Sequence, residues 1–325
     1  MISPDVASAV TRLESEGILG PEQARLFGRV ARAELVSLSP AIHALLYLGV
    51  IGLTTGAGLL FKNEIANLGP ISIAAGVGLV ACVCLLWAAR RSPPFSKGEV
   101  PTPHFAFDYV LVLGTLLAAA DLAFIEVQFT PLGPQWPFHL LGVSLGYATL
   151  AFRFDSRTLF ALSLTTFAAW RGVAATSLEQ GVFGFFNDAA VVRANALACG
   201  LAFVVLGRAL DQRRVKAHFE PTATHLGWLL ILQAIAWGIG SGPAAALHRL
   251  TLILVGGGLA WGAWRGGRFA LFVFGILAGY LAAAVSLASA VRSDTAVLFL
   301  VGASALLLVF GLTAVHRRFP KEAEE

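Results

Sequence analysis

Apolar residues in this chain come in long unbroken runs, not in alternation with polar ones. Ten such runs lie at roughly 40–61, 68–89, 107–129, 136–152, 158–178, 189–208, 223–239, 248–264, 269–291 and 294–315. A helix needs about 20 apolar residues to cross a bilayer. A membrane-spanning barrel would show alternating segments of ~10 residues. The pattern therefore predicts an all-α fold, a polytopic helical membrane protein of about ten transmembrane helices. The bundle is expected over 40–316, followed by a charged cytoplasmic tail at 317–325.

The first 39 residues carry a different pattern. Ser3 and Pro4 open a helix as a cap and a first-turn proline. Val6, Val10 and Leu13 make its apolar stripe, and Gly17 ends it. Gly20, Pro21 and Glu22 open a second helix with Leu26, Phe27, Val30 and Ala31 on one face. This short helical hairpin is expected in the cytoplasm, as no secretory signal pattern precedes the first span. It buries little on its own, so its helices are expected to pack on each other, on the membrane surface or on a protein partner.

Charge sharpens the topology. Only 13% of the 325 residues are charged and mean hydropathy is +0.76, whereas a soluble domain carries about 25% charged residues. The net charge is +4. Its basic residues cluster in short loops between runs, a topological signature of membrane proteins and not a nucleic-acid footprint. With the N-terminus inside, 18 of the 23 Lys and Arg fall on the cytoplasmic side. The remaining five are Lys62, Arg171, Arg193, Arg249 and Arg292. This excess predicts ten spans with both termini cytoplasmic. Trp87, Tyr109, Trp136, Trp228 and Trp264 fall near span ends, where an aromatic belt would sit.

Chemistry-bearing motifs are few. Cys82, Cys84 and Cys199 all lie in apolar runs, and the first two point to opposite helix faces. The histidines are scattered, with no HExxH spacing, so neither a metal nor a cofactor is expected. No nucleophile–base constellation marks an enzyme. The glycine pairs Gly52/Gly56, Gly258/Gly262 and Gly275/Gly279 have the spacing of close helix packing. The "LVGGGLAWG" stretch at 254–262 lacks the Lys of a phosphate loop.

Two carboxylates break the apolar pattern. Asp121 and Glu126 lie in the run 107–129, Asp121 about 21 Å from its start. A charge at mid-depth costs at least ~2.5–3.5 kcal/mol and is usually paired or faces water. Arg171 lies at matching depth, and Arg193 and Asn195 lie near the level of Glu126. The expected intramembrane polar site is thus Asp121, Glu126, Gln128, Arg171, Arg193 and Asn195, with Asp121 paired to Arg171 and Glu126 to Arg193.

The stretches "LESEGILGPEQARLFGRV" (13–30), "AIHALLYLGVIGLTTGAGLLF" (41–61) and "YVLVLGTLLAAADLAFIEVQF" (109–129) carry a family likeness. Over residues 10–150 the chain resembles the bacterial membrane-protein family catalogued as domain of unknown function 2157. It departs from that family at Asp121 and Glu126, where small apolar residues are usual. Gln128 is displaced by one position, and "KNEIANLG" replaces an Asn-Trp pair. The resemblance implies a polytopic protein of the bacterial inner membrane and implies no activity.

The layout of ten spans and short loops also resembles that of the drug/metabolite transporter superfamily, by analogy only. The expected function is a secondary transporter of a small or lipophilic solute through a polar site near mid-membrane. The alternative is a non-catalytic membrane scaffold or sensor that binds a partner through residues 1–39. A water-accessible cavity reaching the midplane distinguishes the two.

Overall fold

The computed structural model describes residues 69–100, 106–180, 189–240, 242, 244–291 and 294–316, with scattered positions between 13 and 56. Residues 1–66 and 67–325 form two compact units. In the first, Leu13, Glu14, Gln23, Phe27 and several positions from Leu45 to Gly56 are helical. The backbone N–H of Gly20 donates to Gln23 Oε1 at 3.2 Å. The remainder of the expected hairpin, and the tail 317–325, lie outside the described residues.

The second unit is all helical among its described residues. Its helices are α1 (Pro70–Arg91), α2 (Phe107–Phe129), α3 (Pro137–Phe154), α4 (Arg157–Gln180), α5 (Ala189–Arg213), α6 (Glu220–Ala236), α7 (Ala245–Arg265), α8 (Phe269–Ala290) and α9 (Asp294–His316). Their starts follow local chemistry. Pro70 and Pro137 stand at first helical positions, where the missing N–H costs nothing. Thr130 and Asp155 end α2 and α3 in the left-handed region, with φ of 46° and 62°.

Six of these helices, α1, α2, α5, α7, α8 and α9, are long and apolar enough to cross a membrane. The structure thus carries six such spans where the apolar runs suggested about ten. Shortness and charge set the other three apart. Helix α6 has 17 residues and starts on Glu220, α3 has 18 residues, and α4 carries Arg157 and Arg171 within it. Their surroundings account for part of this. Helix α6 packs against α4, α5, α7 and α8, so neighbouring helices cover much of its surface. At the other extreme, no described residue of α9 is buried, and Leu298, Phe299, Leu307 and Phe310 are exposed.

Consecutive helices pair as hairpins, α1 with α2, α3 with α4, α5 with α6 and α7 with α8. Glycines set the closest crossings. A Cβ on Gly227 would stand 2.7 Å from the Gly200 carbonyl oxygen, and one on Gly256 2.7 Å from that of Gly275. The expectation from spacing needs correction for one pair: a Cβ on Gly258 or Gly262 would meet nothing within 4 Å, whereas the Gly279 N lies 3.2 Å from a Cβ on Gly256. In the pair α7/α8 the crossing uses Gly256 and Gly275, one from outside the GxxxG pairs, because the azimuth of the contact selects it.

The loops 92–100, 155–156, 214–219 and 266–268 meet at one end of the unit. Val100 N–H donates to Asp155 Oδ2 at 2.5 Å, Lys216 N–H to the Lys97 carbonyl at 2.7 Å, and Arg268 Nη1 to Glu220 Oε1 at 2.6 Å. Arg157 pairs with Glu99 at 2.8 Å. Phe160 stacks on Phe219 at 4.6 Å and Phe152 meets both edge-on, closing a small aromatic core beneath these loops. This is the end where Arg90, Arg91, Arg153, Arg157, Arg213, Arg214 and Lys216 collect, so the charge alternation along the sequence corresponds to one physical face.

Candidate intramembrane binding site

Near the opposite end, α4, α5 and α6 diverge around a cavity of about 500 Å³. Tight packing at the Gly200/Gly227 crossing holds α5 and α6 together beside the cavity. Thr165, Arg193, Asn195 and Gln233 supply its polar wall; the rest is apolar, with Phe203 and Trp237 the largest side chains. This balance, an apolar cleft with a few placed polar groups, is the usual make-up of a small-molecule site of ~300–1,000 Å³.

Depth follows from helix rise. Arg171 lies fourteen residues beyond Arg157, and Arg193 fifteen residues short of Arg208, so each sits about 21–22 Å from the basic end. A hydrocarbon core is about 30 Å thick. Phe203 lies ten residues from Arg193, so the cavity runs about 15 Å further towards the basic end. It therefore spans the mid-depth of α5. Thr165, Leu229, Gln233 and Trp237 on its rim are exposed at the bundle surface, so it opens sideways.

The expected site residues separate into two groups. Arg171, Arg193 and Asn195 come together here: Arg171 Nη2 donates to Asn195 Oδ1 at 3.1 Å, and Asn195 and Arg193 line the cavity. Arg193 Nη1 lies 3.2 Å from His248 Nε2, while His248 Nδ1 lies 2.9 Å from the Ala244 carbonyl oxygen. A carbonyl can only accept, so Nδ1 carries the proton and Nε2 accepts from the guanidinium. Arg193 also lines a second cavity of about 370 Å³ with His248, Leu247 and Thr251.

Asp121, Glu126 and Gln128 stand apart. Helix α2 packs on α1 and touches α3. Asp121 lies over Gly78 of α1, where a Cβ would come within 2.9 Å of its Oδ2. Its Oδ1 is buried and has no hydrogen-bond partner. Glu126 Oε2 instead accepts the Leu132 N–H at 3.2 Å and closes the turn after α2, and Gln128 is exposed. Arg171 has Asn195, not Asp121, as its partner. Matching depth on two helices does not bring side chains together when the helices do not pack.

A second polar group went unread in the sequence. Asp155, Lys216 and His218 are buried at the basic end, with side chains 5%, 1% and 8% exposed. Asp155 Oδ1 lies 3.0 Å from Lys216 Nζ and 2.7 Å from His218 Nε2. Lys216 Nζ also donates to the Gly98 carbonyl at 3.2 Å. Burial pushes the His218 imidazole below its ordinary pKa, outweighing the opposite pull of Asp155 and Glu99; Arg157 adds to the lowering. Asp155 and the pair Lys216/His218 come from two turns about sixty residues apart and gave no spacing signal. No group of three or more His, Cys, Asp and Glu suited to a metal occurs among the described residues.

Six apolar helices of crossing length are those of an integral, multi-pass helical membrane protein, and one of them, α5, lines the lateral cavity. Comparison with protein-family models, with curated proteins and with solved structures gives no match.

Proposed function

We propose that this chain is a secondary transporter that carries a small or lipophilic solute through the cavity between α4, α5 and α6. The supporting observation is the cavity itself. It reaches past mid-depth and places Arg193, Asn195, Thr165 and Gln233 on an otherwise apolar wall. A scaffold needs no such space, and intramembrane arginines mark solute or ion pathways. In this reading α3, α4 and α6 join the six helices of crossing length and the run 40–61 to complete ten spans. The basic end faces the cytoplasm, as the charge excess favours. The resemblance of residues 10–150 to the 2157 family supports a bacterial inner membrane.

Thiol accessibility tests this. In a background where Cys82, Cys84 and Cys199 are Ser, Ala196→Cys and Thr165→Cys are exposed to a small impermeant thiol reagent in intact cells. Labelling at both is the expected result. Two unlabelled sites in folded protein would end the transport reading.

A further inference from the structure

We propose that the cavity binds a single-chain amphiphile whose head is anionic, a carboxylate or a phosphate monoester. This rests on the reading of the cavity as a solute site and adds the class of solute. Charge is the first ground. The charged side chain lining the cavity is Arg193, and Arg171 stands at its edge through Asn195. Among the described residues, none that lines either cavity is acidic. A guanidinium has five N–H donors, of which Asn195 occupies one at Arg171. His248, neutral by its own hydrogen bonds, adds no charge beside Arg193. Guanidinium groups at this depth favour an anionic partner, and they match carboxylate and phosphate oxygens in pairs.

Shape is the second ground. Both arginines lie about 8 Å inside the far boundary, just below where lipid heads sit. From there the wall runs for about 15 Å along Ala168, Leu226, Leu230 and Phe203, apolar but for Thr165. The exposed rim opens the cavity to the side, so a molecule already dissolved in the bilayer can slide in tail and head together. A free inorganic anion would gain the arginines but leave the apolar length unfilled.

The test is equilibrium binding to the full-length protein in maltoside micelles with four probes: hexadecanoate, a 1-acylglycerol 3-phosphate, hexadecanol and inorganic phosphate. The two anionic amphiphiles are expected to bind at least about tenfold more tightly than hexadecanol, a gap of ~1.4 kcal/mol. Arg171→Gln and Arg193→Gln together should remove most of that gap and leave hexadecanol binding unchanged. Inorganic phosphate should not displace hexadecanoate. Equal binding of acid and alcohol overturns the proposal, and this comparison needs no variant. A gap that survives both Arg171→Gln and Arg193→Gln, or full displacement by inorganic phosphate, overturns it too. If none of the probes binds while Ala196→Cys is still labelled, the amphiphile is wrong and the solute pathway stands. If Ala196→Cys and Thr165→Cys are both unlabelled, the pathway itself falls.

Discussion

Replacing Asp155 with Asn removes one charge from the basic-end cluster and little else. Asn keeps the shape and an oxygen for the Val100 N–H, and it tolerates the left-handed backbone (φ 62°) at this position. The Lys216 ammonium, 1% exposed, then keeps the Gly98 carbonyl at 3.2 Å and the Phe95 ring at 5.4 Å as neutral contacts. Removing one partner of a buried ion pair costs about 3–5 kcal/mol, because the other charge stays buried. Both side chains here are at least 95% covered, so solvent screening takes little from that figure. At ~2–4 °C per kcal/mol, apparent Tm should fall by about 10 °C.

Lys216→Met should also destabilise, by leaving the buried carboxylate with a neutral imidazole. The double variant Asp155→Asn/Lys216→Met is expected to recover much of the loss, since it buries neither charge. The coupling should fall in the ~0.5–3 kcal/mol range of contacting residues, near its upper end. Unfolding is followed by tryptophan fluorescence in detergent at neutral pH. An Asp155→Asn protein that melts within about 2 °C of the parent would behave like a surface substitution and refute the argument. So would a double variant whose loss equals the sum of the singles.

Other outcomes follow from the same geometry. The lowered pKa of His218 means the fold favours the neutral ring, whereas the unfolded ring titrates near ~6.5. Its contribution is complete above that value and is lost as pH falls through it towards the folded pKa. Apparent Tm should therefore drop on acidification below pH ~6.5, and His218→Gln should flatten that part of the curve; parallel curves would refute it. Gly227→Ala places a Cβ 2.7 Å from both Gly200 O and Val204 Cγ2, so it should destabilise by about 1–3 kcal/mol in a thermal melt. Gly258→Ala meets nothing within 4 Å and should be neutral, or stabilising by up to ~1 kcal/mol from helix propensity. A periplasm-active phosphatase fused in the loop 130–136 should be active, and the same reporter in the loop 92–100 inactive; the reverse pattern would overturn the orientation.

Helix α2 was legible to the residue, Phe107–Phe129, because its apolar run is bounded by polar turn residues on both sides. The four basic loops were legible as a set, since charge alternation depends only on order along the chain. Arg193 and Asn195 were legible as polar positions in an apolar run, and both line the cavity. Lys216 was visible only as one positive charge among the eighteen assigned to the inside. Nothing local distinguishes it from Arg213 or Arg214, yet it is the one that the chain buries against Asp155, sixty-one residues earlier.

Asp121 and Arg171 show where the reasoning stops, and why. Each lies fourteen residues from the basic end of its helix, so the rise of 1.5 Å per residue sets both at about 21 Å. That arithmetic is reliable because depth accumulates along a single helix axis. Whether two side chains at one depth meet depends instead on which helices are neighbours and how each is rotated. Those quantities are settled by close contacts far from either residue: Gly200 on Gly227 draws α6 onto α5, and Cys84 against Gly114 draws α1 onto α2. The first crossing leaves space beside Arg193 and Asn195. The second turns Asp121 towards Gly78, on a hairpin where its carboxylate meets no arginine. A single glycine contact thus decides the fate of a carboxylate many residues away, and no count of residues along one helix can supply it.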